Sequence, residues 1–179
     1  MQNAEAIVWL VPLKDLSEDA LAIKLGDIAE LAVEPDQNDF VGDALKMSLI
    51  GLEVISRFPF AIEANGEVVG VLTLQYGAAA LAGWPDDESV WLLRGLLIDK
   101  RFQGQGLGTK AAEAAVLAAR RLNVRHQSKQ SGVVLSVNER NVPGLRAYRK
   151  AGYGDHGQYL GGASGPQRTM FRSFDAEPH

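Results

Sequence analysis

The stretch Arg101-Phe102-Gln103-Gly104-Gln105-Gly106-Leu107-Gly108-Thr109 carries the clearest chemical signal in the sequence. Glycines at alternate positions let the main chain turn left-handed and approach a ligand closely. An Ala- and Leu-rich run with strong helix propensity, Ala111 to Leu122, follows at once. Such a strand–loop–helix junction presents successive backbone N–H groups at the positive end of a helix dipole. That combination binds phosphate oxygens without needing a basic side chain. Two other phosphate loops fit poorly. A P-loop ends Gly-Lys-Ser/Thr, whereas this chain reads Gly108-Thr109-Lys110, and a dinucleotide fingerprint needs Gly or Ala where Thr109 stands. A glycine-rich turn without a ligand is the remaining alternative.

Other residues suited to chemistry are scattered. His126 and His156 have no partners at metal-ligand spacing and read as surface histidines, so no metal site is expected. Glu34, Asp36, Asp39 and Asp43 make an acidic connector that would either attract a cationic amine or simply be solvated. Glu88 precedes a long apolar run, Trp84 stands beside Pro85, and Gly161-Gly162 with Gly165-Pro166 mark a turn.

The elements that must position these residues can be read from periodicity. Ile7, Trp9 and Val11 alternate as a strand that ends at Pro12. Ser17 caps a helical pattern through Leu21, Leu25, Ile28 and Leu31, and a second pattern runs through Leu45, Leu49, Leu52 and Ile55. Phe60–Glu63 and Glu67–Gln75 are strand-like around Asn65-Gly66, a strong hairpin signal. Val90 to Ile98 is a nearly unbroken apolar run, which predicts a central strand buried on both faces. After the glycine loop and its helix come a short strand at Val133–Val137 and a helix opened by Asn141-Val142-Pro143 and closed by Gly152. A last strand, with a second possible beside it, lies around Arg168–Phe171. The order is β-α-α-β-β-β-loop-α-β-α-β, a mixed α/β sheet with helices on its faces.

Composition narrows the classes. At 179 residues the chain is about one domain's worth, and 46% hydrophobic with 22% charged residues is ordinary globular usage. A net charge of −4 gives no footprint for a nucleic-acid partner. The absence of cysteine excludes disulfides, thiolate nucleophiles and Cys-ligated metals. The first residues do not read as a signal peptide, and no apolar run approaches the roughly 18 residues that span a bilayer, so a cytoplasmic protein with no membrane partner is expected.

Two motifs in order give the residues a family likeness. Arg101-Phe102-Gln103-Gly104-Gln105-Gly106 resembles the Gln/Arg-x-x-Gly-x-Gly/Ala loop of the GNAT superfamily of N-acetyltransferases, and the preceding RGLLIDKRF looks like its cofactor-binding strand. Downstream, Asn141 followed after six residues by Tyr148-Arg149-Lys150-Ala151-Gly152-Tyr153 resembles the family's Asn-x6-Tyr-x-Lys-x-Gly-Phe/Tyr helix. The likeness spans Val90 to Tyr153, and more loosely Leu31 to Leu49 looks like a segment of bacterial spermine/spermidine-type acetyltransferases.

The resemblance implies one N-acetyltransferase domain over residues 1–179, with a GNAT-like, mostly antiparallel sheet containing splayed parallel strands and helices on both faces. It implies acetyl-CoA as cosubstrate and a small amine, polyamines included, as acceptor. It leaves oligomeric state open, homodimers being common in the family. By the same analogy the backbone of Leu96, Leu97 and Ile98 would bind the pantetheine arm. Arg101, Gln103, Gly104, Gln105, Gly106, Leu107, Gly108 and Thr109 would hold the pyrophosphate, and Asn141 would contact the arm.

Direct transfer needs a neutral amine, a stabilised oxyanion and protonation of the departing thiolate. With no cysteine to relay the acetyl group, attack on the bound donor is the simplest route. Tyr148, which the resemblance aims at the sulfur, is the candidate acid, because a phenol of pKa about 10 suits a thiolate whose conjugate acid lies near 8–9. No base stands out. Glu34, Asp36, Trp84 and Glu88 are the candidates on the acceptor side. A non-catalytic acyl-CoA-binding or regulatory domain, acetylation of a protein or peptide amine, and a nucleotide-binding protein using the same loop are the competing readings.

Overall fold

The computed structural model describes residues 6–35 and 43–176. Seven strands form one sheet in the order β1-β2-β3-β4-β5-β7-β6, comprising β1 (Val8–Pro12), β2 (Arg57–Ala64), β3 (Glu67–Gln75), β4 (Trp91–Ile98), β5 (Gly132–Asn138), β6 (Gly154–Tyr159) and β7 (Gln167–Ser173). Every neighbouring pair is antiparallel except β4 and β5. Among the described residues four α-helices accompany the sheet: α1 (Glu18–Ala29), α2 (Ala44–Glu53), α3 (Leu107–His126) and α4 (Val142–Lys150).

The helices divide between the two faces because strand side chains alternate. Ile62, Leu72, Leu93 and Val133 point to the face covered by Ala111, Ala115, Ala119 and Leu122 of α3. Ala61, Val71 and Leu97 point to the other face, where Ile28 of α1 and Ala44 of α2 are buried with them. Small alanines let α3 lie close against the sheet, and Trp91 fastens the two by donating from Nε1 to Asn123 Oδ1 at 2.7 Å.

The sheet is interrupted where the site lies. Parallel pairing of β4 with β5 is confined to Trp91↔Val133 and Leu92↔Val134, after which the strands diverge. On its other edge, β4 carries an extra residue against β3, between the pairs Thr73↔Arg94 and Val71↔Leu97. Gly95 sits in that bulge with φ +61°, a left-handed conformation that costs a side-chain-bearing residue about 1–2 kcal/mol. At the bulge's end Gly70 lies so close to β4 that a Cβ there would overlap the Leu97 carbonyl oxygen. The bulge corrects the expectation of a strand buried throughout, since Arg94, Gly95 and Leu96 are only half-buried. Other differences are boundaries: α3 starts at Leu107 rather than Ala111, β2 starts at Arg57, α2 ends at Glu53, and β6 is a full strand.

Candidate active site at the strand splay

The divergence of β4 from β5 opens a cleft on either side of a shared waist formed by Leu96, Asn141 and Tyr148. One side, about 510 Å³, is lined by Leu96–Ile98, the glycine loop and α4; the other, about 650 Å³, by β3, β4, β5, α2 and the 162–164 loop. Past Leu92 the β5-facing edge of β4 has no strand partner, so its main-chain groups are available to whatever fills the gap.

On the smaller side the glycine loop behaves as its composition suggests. Gly104 and Gly106 have φ +76° and +77°, and Gly106 is the N-cap of α3 without a side-chain cap. The other three helices are capped, by Ser17, Asp43 and Asn141. The first helical bond of α3 runs from Lys110 N–H to Gly106 O at 3.2 Å, so the N–H groups of Leu107, Gly108 and Thr109 precede the ladder. All three residues line the cleft, and a Cβ at Gly108 would meet nothing nearer than Ile98 Cγ1 at 3.9 Å. Uncapped amides at the positive end of a twenty-residue helix, facing open space, fit a pyrophosphate.

The expected site residues fall into groups. Leu96, Leu97, Ile98, Gln103, Gly104, Gly106, Leu107, Gly108, Thr109, Asn141 and Tyr148 line the smaller side together. Arg101 and Gln105 do not. The Arg101 guanidinium turns back to Asp99 at 2.9 Å and lies over the Phe102 ring at 5.3 Å, bracing the loop from behind. Gln103 Nε2 donates to Ile98 O at 2.9 Å, tying the loop to the end of β4. Asn141 Oδ1 accepts from Gly144 N–H at 3.0 Å, so it caps α4 while standing at the waist.

Tyr148 is half-buried, with its ring edge-on to Tyr153 at a centroid distance of 6.0 Å. Burial pushes its phenol up to about 12. Tyr153 is held by donating to Ala112 O at 3.0 Å, which anchors the end of α4 to α3.

The residues expected to face the acceptor do not meet at the cleft. Trp84 stacks on Phe171 at 4.6 Å, contacts His156 at 5.2 Å and donates from Nε1 to Ser89 Oγ at 3.1 Å, which makes it a loop anchor. Glu88 and Glu34 are exposed and outside both linings. Asp43 caps α2 by accepting from Lys46 N–H at 2.7 Å. Asp36 and Asp39 lie outside the described residues. The turn does contribute: Gly162, Ala163 and Ser164 line the larger side, held where Asn138 Nδ2 donates to Ser164 O at 2.7 Å.

Several participants escape a reading of the sequence. Arg57, Thr73, Arg94 and Ser136 line the larger side, and among the described residues no Asp, Glu or His appears in either lining. Asp99, buried at the end of β4, accepts from Ala32 N–H at 3.0 Å and Arg101 N–H at 2.8 Å. Burial pushes its carboxyl up, but the Arg101 hydrogen bond, the two backbone donors and the Arg101 charge outweigh that and lower it overall. Arg94 was visible as the charged residue within VWLLRGLLI; Arg57, at a strand edge, gave no signal.

A family model, the Acetyltransferase (GNAT) family, matches residues 27–153. The chain belongs to that family. It is therefore an acetyl-CoA-dependent N-acetyltransferase with a GNAT fold. The fold matches solved GNAT structures along nearly its whole length. One is aminoglycoside acetyltransferase AAC(6')-Ib in complex with paromomycin and acetyl-CoA, at 21% identity and TM-score 0.66, covering 95% of this chain and 94% of that one. A spermidine N-acetyltransferase SpeG chimera from Vibrio cholerae and hSSAT matches at 13% identity and TM-score 0.61, covering 92% and 93%. An acetyltransferase from Thermus thermophilus matches at 20% identity and TM-score 0.59, covering 94% and 97%. Comparison with curated proteins finds no match. Among the described residues no helix is long and apolar enough to cross a membrane, and no three His, Asp or Glu are grouped to hold a metal.

Proposed function

We propose that this GNAT enzyme moves the acetyl group of acetyl-CoA to a primary amine of a small molecule by direct attack at the waist of the cleft. The donor lies along β4 from Leu96 to Ile98 with its pyrophosphate on the amides of residues 103–109, and the acceptor enters from the larger side. The amine nitrogen attacks the thioester carbonyl carbon, the C–S bond breaks, and the sulfur takes a proton from the Tyr148 hydroxyl. The amine's own proton leaves through water, which also returns a proton to the Tyr148 oxygen, since among the described residues no carboxylate or imidazole lines the cleft. The observation that carries this reading is that Leu96, Asn141 and Tyr148 line both sides of one gap between parallel strands.

The proposal includes one domain over residues 1–179, a cytoplasmic setting and a monomer or homodimer. It is supported by a family match over residues 27–153 and a single sheet carrying every strand. A polyamine acceptor has support from the likeness of residues 31–49 and from the spermidine enzyme among the structural neighbours. The lining of the larger side argues for a different class, developed below.

A second reading is an acyl-CoA-binding domain without turnover, favoured by the lack of a lining base among the described residues. Thiol release from acetyl-CoA across a panel of amines, amino acids, peptides, aminoglycosides and polyamines separates the two. Acceptor-dependent release is expected; tight acetyl-CoA binding with none from any acceptor would establish the second reading.

A further inference from the structure

Among the described residues the acceptor side of the cleft holds two guanidinium groups and no carboxylate. Arg57 begins β2 and Arg94 lies in β4, with β3 between them. Both reach one atom: Gln75 Oε1 accepts from Arg57 Nε at 3.2 Å and from Arg94 Nη1 at 2.9 Å. Gln75 is buried, and its Nε2 donates to Ser56 Oγ at 3.4 Å, so its amide is held with the oxygen toward the arginines.

Among the described residues neither guanidinium forms an ion pair, whereas Arg101 and Arg125 each pair with one carboxylate and Arg168 with two. Burial, followed by the Arg57 charge, lowers the Arg94 guanidinium. Two like charges sharing one neutral acceptor in a half-buried cleft are unfavourable until a counter-charge arrives. Guanidinium forks match the two-oxygen edge of a carboxylate or phosphate. The cleft volume of about 650 Å³ suits a small molecule.

We propose that Arg57 and Arg94, pre-set by Gln75, form an anion-reading subsite, and that the acceptor is a small primary amine bearing a carboxylate or phosphate group. This rests on the acetyl-transfer reading and replaces a polycationic acceptor with an amphoteric one. Three neighbouring strands fix the subsite, so its geometry exists before the acceptor binds. A polyamine or aminoglycoside would bring only positive charge to an already cationic wall.

Matched pairs test this: glucosamine 6-phosphate against glucosamine, and glutamate against its diamide, with spermidine and kanamycin as polycations, all by acetyl-CoA-dependent thiol release. At least one anionic member is expected to exceed its uncharged partner about 10- to 100-fold in kcat/KM, mainly through KM. Which pair responds tells phosphate from carboxylate. Arg94→Gln should collapse that ratio toward one, and Arg94→Lys should restore part of it. Gln75→Glu, nearly isosteric, supplies an internal carboxylate to both arginines and should also collapse it.

Ratios near one in both pairs, or faster turnover of spermidine or kanamycin than of every anionic amine, would overturn the subsite and leave acetyl transfer standing. Absence of thiol release from every acceptor would overturn acetyl transfer instead. The subsite is then decided by calorimetry on CoA-saturated protein with N-acetylglucosamine 6-phosphate and N-acetylglutamate. Binding of either that Gln75→Glu abolishes supports it, and binding of neither overturns it.

Discussion

Replacing Tyr148 by Phe keeps the ring that meets Tyr153 at 6.0 Å and removes only the hydroxyl at the waist of the cleft. Burial raises that phenol to about 12, well above a thiol near 8.5. Complete proton transfer to a free thiolate would then be uphill by about 3.5 pK units, or about 5 kcal/mol. In the proposed mechanism the hydroxyl therefore acts by donating a hydrogen bond to sulfur while the C–S bond breaks, with the proton moving late. General acids contribute about 10²- to 10⁴-fold, and this mismatch places Tyr148 at the low end, about 100-fold in kcat, or about 2.7 kcal/mol. The sign of the pH effect follows. A group raised to about 12 stays protonated at every lower pH, so Tyr148 produces no alkaline arm in kcat between pH 6 and 10. Steady-state kinetics of both proteins over that range, with the acetyl-CoA dissociation constant measured alongside, is the assay. Equal kcat in Tyr148→Phe would remove the acid role. An alkaline arm near pH 9 in the wild type that vanishes in the variant would show that burial does not raise this phenol.

Gly95→Ala places a Cβ at φ +61° and 3.0 Å from Met47 Sδ, a side chain flexible enough to move aside. About 1–2 kcal/mol of left-handed strain, less about 0.4–1 gained by restricting the unfolded chain, leaves a loss near 1 kcal/mol in urea denaturation. KM for donor and acceptor should rise together, because the bulge shapes both sides of the cleft. Asp99→Ala removes the buried carboxylate that accepts from the Ala32 and Arg101 N–H groups and should cost about 2 kcal/mol at pH 7. Since the carboxyl is lowered in the folded state, its contribution is present above about pH 4 and is lost as pH falls through the lower folded value, so wild-type and variant stabilities should converge in acid. Asn141→Ala removes the cap on α4 at about 1 kcal/mol in thermal denaturation. A severalfold rise in KM for acetyl-CoA is expected beyond that, and an unchanged KM would reduce Asn141 to a cap.

The order of elements was legible because each carries a local signal that tertiary packing does not override. Asn65-Gly66 turns the β2–β3 hairpin, and Asn65 takes φ +51° as such a turn requires. Ser17 and Asn141 cap helices that start where they predict. The turn of the loop was legible for the same reason, since Gly104 and Gly106 take the left-handed conformation that glycine favours. The acceptor side was not. Arg57 and Arg94 are 37 positions apart and become neighbours only through the register of β3, in which Gln75 faces Arg57 and Thr73 faces Arg94. The bulge at Gly95 was hidden inside an apolar run, where one glycine reads equally as strand interior. Trp84 and Glu88 looked functional by type, but their contacts belong to loop packing.

The lack of a lining carboxylate among the described residues and the presence of two arginines bear on the same step. An amine reacts only when neutral, and a base is one means to that end; a cationic field is another, because positive charge disfavours the ammonium form. At about 8 Å and an effective dielectric near 20, one unpaired charge is worth about 2 kcal/mol, or about 1.5 pK units on the amine. An acceptor with a single anionic group compensates one guanidinium and leaves the other to act on its nitrogen, so one pair of side chains both selects the molecule and eases its deprotonation. The acid limb of kcat/KM for an anionic amine should then shift to higher pH in Arg94→Gln, which no purely structural loss would produce. A limb that stayed in place while kcat/KM fell would confine Arg94 to recognition, leaving water as the sole route for the amine's proton.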